Sequence, residues 1–365
     1  MNTKRLPFSL VAMTILMSTG MMSHVEVIPL LLETAGRDAW LSIIVIALPY
    51  LLWVAALHAI ISKMNGEHPV VWLKSRLGNG AAKVFRMMWL LYFILFVYVT
   101  YQDTLTWTNT TYLQVTPELF VAIFLGALCT GVSIIGIRSV LLASGIFLPL
   151  VVLLGFFIMF TNSANKDYSS IFPILARGVQ PVMNSLVFLS GGLTELIMIM
   201  FLLSYSRAVS RNRLVLLSVF LIVLTLGPTL GSISEFGPIE AAKQRYPAFE
   251  QWRLMQLGHY IEHMDFFSIY QWLAGACVRM SLGLCLALEM LQLKTVKGRV
   301  IGALCLLLAE LTLIMMPLND MAFFMLLKSV YFPAVLAFHL FMFTLFAVLA
   351  LRGEKSAPAG LSATE

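Results

Sequence analysis

Ser190-Gly191-Gly192-Leu193-Thr194-Glu195 decides how this chain is read. The six residues lie inside an apolar run from Pro181 to Tyr205, long enough to cross a bilayer as a helix. Two adjacent glycines weaken such a helix by about 1 kcal/mol each relative to alanine. Glu195 follows three residues later. A charge at membrane depth costs at least about 2.5–3.5 kcal/mol, so it needs a partner or a wet cavity. A weakened helix beside a buried carboxylate predicts a broken helix at a binding site, because unwound backbone survives at that depth only where protein or water satisfies it. The competing reading is a glycine pair for close helix packing beside a structural acid.

The rest of the chain sets that run in a membrane. Of 365 residues, 60% are hydrophobic and 12% charged, with a mean hydropathy of +0.90, which describes a polytopic membrane protein. The net charge is +6, but the basic residues sit at helix ends and form no separate cluster, which excludes nucleic acid as a partner. Cys129, Cys277, Cys285 and Cys305 lie in apolar runs without metal-ligand spacing and read as small core residues. No Ser/His/Asp set, phosphate loop or His-Glu-x-x-His motif occurs, so neither an enzyme nor a metal or cofactor site is expected. The first apolar run is too long and too interrupted for a signal-peptide core.

Ten spans are expected, at about 7–32, 39–62, 84–112, 118–136, 139–161, 181–205, 212–235, 264–292, 299–317 and 330–351. They form a single transmembrane domain over residues 1–352, followed by an Ala/Ser/Pro-rich tail, 353–365, that reads as disordered. Glu67 to Lys83 suits a short interfacial helix, and the loop Phe236 to Asp265 reads as partly helical around Glu250 to Ile261. With both termini on one side, that side carries 16 Lys and Arg against 7 on the other, with Arg279 inside a span. The positive-inside rule then places both termini in the cytoplasm.

Ten divides as five plus five, with repeat one at about 7–161 and repeat two at about 181–351. Span one carries Met17-Ser18-Thr19-Gly20-Met21-Met22-Ser23 where span six carries Ser190-Gly191-Gly192. Five is odd, so the halves have opposite orientation. Matching interruptions in inverted repeats point to a central substrate site, as in secondary transporters of LeuT-like fold.

The loop and the start of span eight read Arg245-Tyr246-Pro247-Ala248-Phe249-Glu250-Gln251-Trp252-Arg253 and Tyr260-Ile261-Glu262-His263-Met264-Asp265-Phe266-Phe267-Ser268-Ile269-Tyr270-Gln271-Trp272. With Phe172-Pro173-Ile174-Leu175 and the segment Thr14 to Pro29, this resembles the B subunit of the nutrient germinant receptors of endospore-forming bacteria, the spore germination permeases. The resemblance covers nearly the whole chain. It implies a relative of amino acid permeases with the five-plus-five fold, which binds a small nutrient, usually an amino acid, in the inner spore membrane. It also implies a complex with a larger membrane A subunit and a lipoprotein C subunit. The rival is an active proton- or sodium-coupled amino acid symporter.

Breaks at Thr19-Gly20-Met21 and at Ser190-Gly191-Gly192 would expose N–H groups at half-helix N-termini, which suit a carboxylate, and Glu195 would meet an ammonium. Tyr98 and Tyr101 share a face of span three and form either a lid over the ligand or ordinary packing. Asp103 reads as a solvated interfacial acid, His58 and His339 as core or interfacial histidines. Glu26 lines an outer vestibule or faces water, Glu289 pairs with Lys294 or Lys297, and Glu310 has no assigned partner. In the outer loop, Glu262 or Asp265 would hold Arg253 or Arg245 and cap the access path. Arg279 lies about 15 residues from Met264, roughly 22 Å along a helix, too deep to snorkel. It either occupies the place of a sodium ion beside the carbonyls near Thr19 and Gly20, or pairs elsewhere, for instance with Glu310.

Overall fold

The computed structural model describes residues 5–255, 264–316 and 318–352. These form an all-α bundle of ten membrane-length segments without a named strand among the described residues. Span one runs Phe8–Met22, a π turn Ser23–Val27, and Ile28–Ala35; span two is Ala39–Lys63. Span three is the second part of the helix Pro69–Thr111, span four Glu118–Ile135 and span five Ile137–Thr161. Span six runs Gln180–Leu193, a 3-10 turn Thr194–Met198, and Ile199–Leu202; span seven is Arg211–Ala241. Span eight is Phe266–Leu291 and span nine Val296–Ile314. Span ten runs Asp320–Leu326, a π turn Leu327–Tyr331, and Phe332–Leu351. The tail 353–365 and Glu262 lie outside the described residues.

Spans six and eight form the middle of the bundle. In their most apolar windows 83% of residues are buried, against 17% for the helical stretch Ile137–Asn165 that includes span five. Spans three and eight make the broadest helix–helix contact. Glycine sets how closely they approach: a Cβ on Gly283 would sit 2.5 Å from Val97 and 2.8 Å from Phe96. The interfacial segment is helical from Pro69 but continuous in direction with span three only after a kink at Gly78, whose φ of 82° needs glycine. Among the described residues of the outer loop lies a short helix, Pro247–Arg253.

The interruptions differ from the expected breaks in position and kind. Span one stays α-helical through Thr19-Gly20-Met21 and widens one turn later; span six stays α-helical through Gly191-Gly192 and tightens at Thr194. Their flanking residues keep right-handed helical dihedrals, so no half-helix N-terminus opens toward a ligand. Both π turns end two residues before a proline, Pro29 and Pro333. Proline has no N–H and its ring crowds the carbonyl four residues earlier, so the helix widens ahead of it. In span six the hydroxyl of Thr194 donates to the carbonyls of Ser190 (2.7 Å) and Gly191 (3.2 Å), at the point where the step changes.

Candidate binding site

The two glycines bring the interrupted helices together. A Cβ on Gly192 would lie 2.8 Å from Val27 in the π turn of span one, and one on Gly191 would lie 3.0 Å from the carbonyl oxygen of Phe332, just past the π turn of span ten. Gly20 faces span seven, where its Cβ would meet Leu224 at 2.8 Å. These are helix-packing contacts. Met21 packs on Gly275 of span eight, Ser190 is half-buried, and the Thr19 hydroxyl is buried with no hydrogen-bond partner among the described residues.

At the centre sits an ion pair. Arg279 of span eight donates from Nη1 to Glu195 Oε2 at 2.7 Å and from Nη2 to Oε1 at 2.8 Å. The same guanidinium donates to the Ser18 carbonyl at 3.1 Å and, from Nε, to Thr100 Oγ1 at 2.7 Å. Its carbon stands 3.7 Å from the centre of the Phe96 ring. Both charged side chains are 0% exposed. One residue thus ties spans one, three, six and eight. Glu195 spends both oxygens on Arg279, so the structure differs from the expectation that it is free for a ligand ammonium. Glu310 is buried with neither oxygen bonded among the described residues, and is not the partner of Arg279.

A second cluster lies toward the outer loop. Arg245 donates from Nη2 to Asp103 Oδ1 at 2.7 Å and from Nε to Asp320 Oδ1 at 3.2 Å, and the Tyr246 hydroxyl donates to Asp103 at 2.9 Å. Asp103 is fully buried and paired, in place of the solvated acid expected. Burial, with the Asp103 carboxylate beside it, pushes the Tyr246 phenol well above the usual tyrosine range, which keeps it a donor. Arg245 Nη1 also donates to the Val25 carbonyl at 3.4 Å. Val25 is four residues before Pro29, so this is the carbonyl that proline leaves without its helical partner.

Aromatic rings fill the space between the clusters. Trp107 of span three stacks on Trp272 of span eight at 4.2 Å and 2°, and Tyr246 and Phe249 meet the pair edge-on. Met21, Val25 and Ala276 complete this group. Glu26, in the π turn, is buried with Oε2 unpartnered among the described residues, within the field of Asp103, Arg279, Glu195 and Arg245. The helix Pro247–Arg253 is pinned over the group. Gln251 donates to Ser232 at 2.9 Å, Asn162 donates to the Gln251 carbonyl at 2.8 Å, and Trp252 donates to Gln271 at 3.0 Å.

Other expected contacts fall elsewhere. Tyr101 donates to the Ala122 carbonyl of span four and Tyr98 packs edge-on against Phe323, so both tyrosines point away from Arg279. The inward stripe of span three is Phe96, Thr100, Asp103, Thr104 and Trp107, one helical face over. Arg253 pairs with Glu250 at 3.1 Å on the surface, and Asp265 accepts from Tyr112 at 3.3 Å. Asp103 and Asp320, not Asp265, hold Arg245. Glu289 pairs with His68 and Tyr205 rather than with the lysines of its own loop.

The family model described as Spore germination protein matches residues 5–323. The chain is 38% identical over 339 residues to Spore germination protein XB of Bacillus anthracis, covering 93% of this chain and 95% of that protein. A solved structure described as the inward facing conformation of Mhp1 aligns with 95% of this chain and 76% of its own length, at a TM-score of 0.42 and 15% identity. A ten-span helical membrane fold, a family match over most of the chain and a relative of nearly equal length lead to one assignment: the chain belongs to the spore germination protein family of membrane permeases.

Proposed function

We propose that this permease is the B-type subunit of a germinant receptor. It binds a small nutrient, an amino acid, between spans one, three, six and eight, beneath the helix Pro247–Arg253. Binding alters the interrupted helices, and the change passes to an A-type membrane subunit and a C-type lipoprotein subunit. The complex lies in the inner spore membrane with both termini on the core side. The observation that carries this reading is the bond from Arg245 to the Val25 carbonyl. It joins the lid to the π turn of span one, so a ligand that moves either one moves both. The guanidinium of Arg279 takes the Ser18 carbonyl, a fixed cation where ion-coupled transporters hold sodium, and makes ligand binding independent of that ion.

The test is a thermal-shift screen of purified protein against amino acids, sugars and nucleosides, followed by binding isotherms for the best ligand in sodium and in choline buffer. We expect an amino acid to bind with the same affinity in both. A strict sodium requirement would overturn the fixed-cation reading. Robust accumulation of labelled amino acid in proteoliposomes would favour an active symporter over a receptor.

A further inference from the structure

The kink at Gly78 folds the segment before span three against that span and against the end of span eight. Between them is a cavity of about 330 Å³, lined by Val70, Lys74, Asn79, Ala82, Lys83, Arg86 and Gln292. Three of the seven lining residues are cations and none is an acid. Among the described residues Lys74, Lys83 and Arg86 make no ion pair. Arg86 is held in place by a bond from Nη1 to the Met290 carbonyl at 3.2 Å, which leaves Nη2 and Nε for another acceptor. Gln292, in the left-handed region at φ 52°, turns the chain out of span eight and lines the same cavity.

The cavity also has an apolar border. Met87 lies one helical turn below Lys83 and Leu90 one turn below Arg86, with Leu91 a turn below Met87; Met87 and Leu91 are exposed and Leu90 is half-buried. A cationic pocket where a helix leaves the membrane, continuous with an apolar stripe, matches both parts of an anionic phospholipid. Arginine gives a phosphate two parallel donors and lysine gives it a mobile point charge.

We propose that this cavity binds a phosphate group, and that its source is the headgroup of an anionic phospholipid whose chains lie along Met87, Leu90 and Leu91. The same end of the bundle carries a link between spans six and eight. His68, which caps the folded segment, meets Glu289 of span eight, and Glu289 accepts from Tyr205 at the end of span six. A headgroup there would bridge the segment before span three, span three itself and the end of span eight.

The experiment uses full-length protein in an uncharged detergent, with melting temperature and native mass spectrometry as readouts. Dihexanoyl phosphatidylglycerol, dihexanoyl phosphatidylcholine and inorganic phosphate are compared on the parent and on K74Q/K83Q, both exposed positions. Phosphatidylglycerol should raise the melting temperature and remain bound in the mass spectrum, and phosphatidylcholine should do neither. Apparent affinity in K74Q/K83Q should fall on the order of tenfold or more. An equal response to both lipids, or an unchanged response in K74Q/K83Q, overturns the site. An equal shift with inorganic phosphate overturns the lipid as its source.

Discussion

Two arginines hold carboxylates across helices in this molecule, and their surroundings differ. Arg279 meets Glu195 bidentately with both side chains fully buried, and its remaining donors reach Ser18 and Thr100. Arg245 meets one buried acid, Asp103, and one acid with 41% of its side chain exposed, Asp320. The inner pair is sealed, with neither side chain exposed. The outer one can exchange Asp320 for solvent at little cost. On the proposed reading the first fixes the bundle and the second works as a latch. Sequence position separates them too: Arg279 sits inside an α-helix, and Arg245 in a loop tied to a π turn through a carbonyl that Pro29 vacates.

The largest expected effect breaks the inner pair. Arg279→Ala leaves Glu195 charged or newly protonated in a dry core, and removing one partner of a buried pair costs about 3–5 kcal/mol. Membrane yield and melting temperature should drop sharply. Arg279→Lys should recover part of the loss, since one ammonium replaces a fork that holds Glu195, Ser18 and Thr100. The double variant R279M/E195L should lie closer to the parent than either single truncation, because a pair replaced by apolar side chains leaves no orphan charge. Parent-like stability in Arg279→Ala would erase the distinction between the two arginines.

A smaller effect probes how the inner pair is framed. Gly191→Leu drives a side chain into the Phe332 backbone, and Gly192→Leu drives one into Val27. Overpacking of this kind costs about 1–3 kcal/mol. Each should keep the protein in the membrane but abolish the nutrient response, because it separates span six from a π turn. The measurement is a dose–response curve for germination together with a membrane blot. A normal response from both variants would show that the interrupted helices need not stay in contact.

These residues also show what the sequence made legible. Ten spans, the interrupted pair and the buried arginine follow from hydropathy, glycine placement and helix length. Pro29 and Pro333 were visible, yet the π turns they cause are local adjustments of hydrogen-bond step that hydropathy does not register. Tyr98 and Tyr101 are polar aromatics at helical spacing, but spacing gives a shared face and not the direction of that face. The inward stripe, Phe96 to Trp107, is defined by what span eight places opposite it, Arg279 on Thr100 and Trp272 on Thr104 and Trp107. Asp103 lies near the end of its apolar run, where water is the natural expectation. A loop residue more than a hundred positions later, Arg245, covers it, and no pattern within span three carries that information.

The smallest effect separates the two acids of the latch. Asp103→Asn removes the charge of a buried acid that accepts from both Arg245 and Tyr246. Charge-assisted bonds of this kind contribute about 1.5–3 kcal/mol. Asp320 is a partly exposed partner at 3.2 Å, and surface pairs contribute a median of about 0–1 kcal/mol, less at high salt. Asp320→Asn should therefore change the melting temperature by only a degree or so in dilute buffer, and not measurably in 0.5 M salt. Hydrogen exchange over 245–253 should rise clearly in Asp103→Asn and hardly at all in Asp320→Asn. The same order should appear in the nutrient concentration needed for response, because the lid opens where its buried anchor is lost. If Asp320→Asn loosened 245–253 as much as Asp103→Asn does, the latch would be held from its rim. The contrast with the sealed inner pair would then rest on exposure alone and not on which carboxylate carries the load.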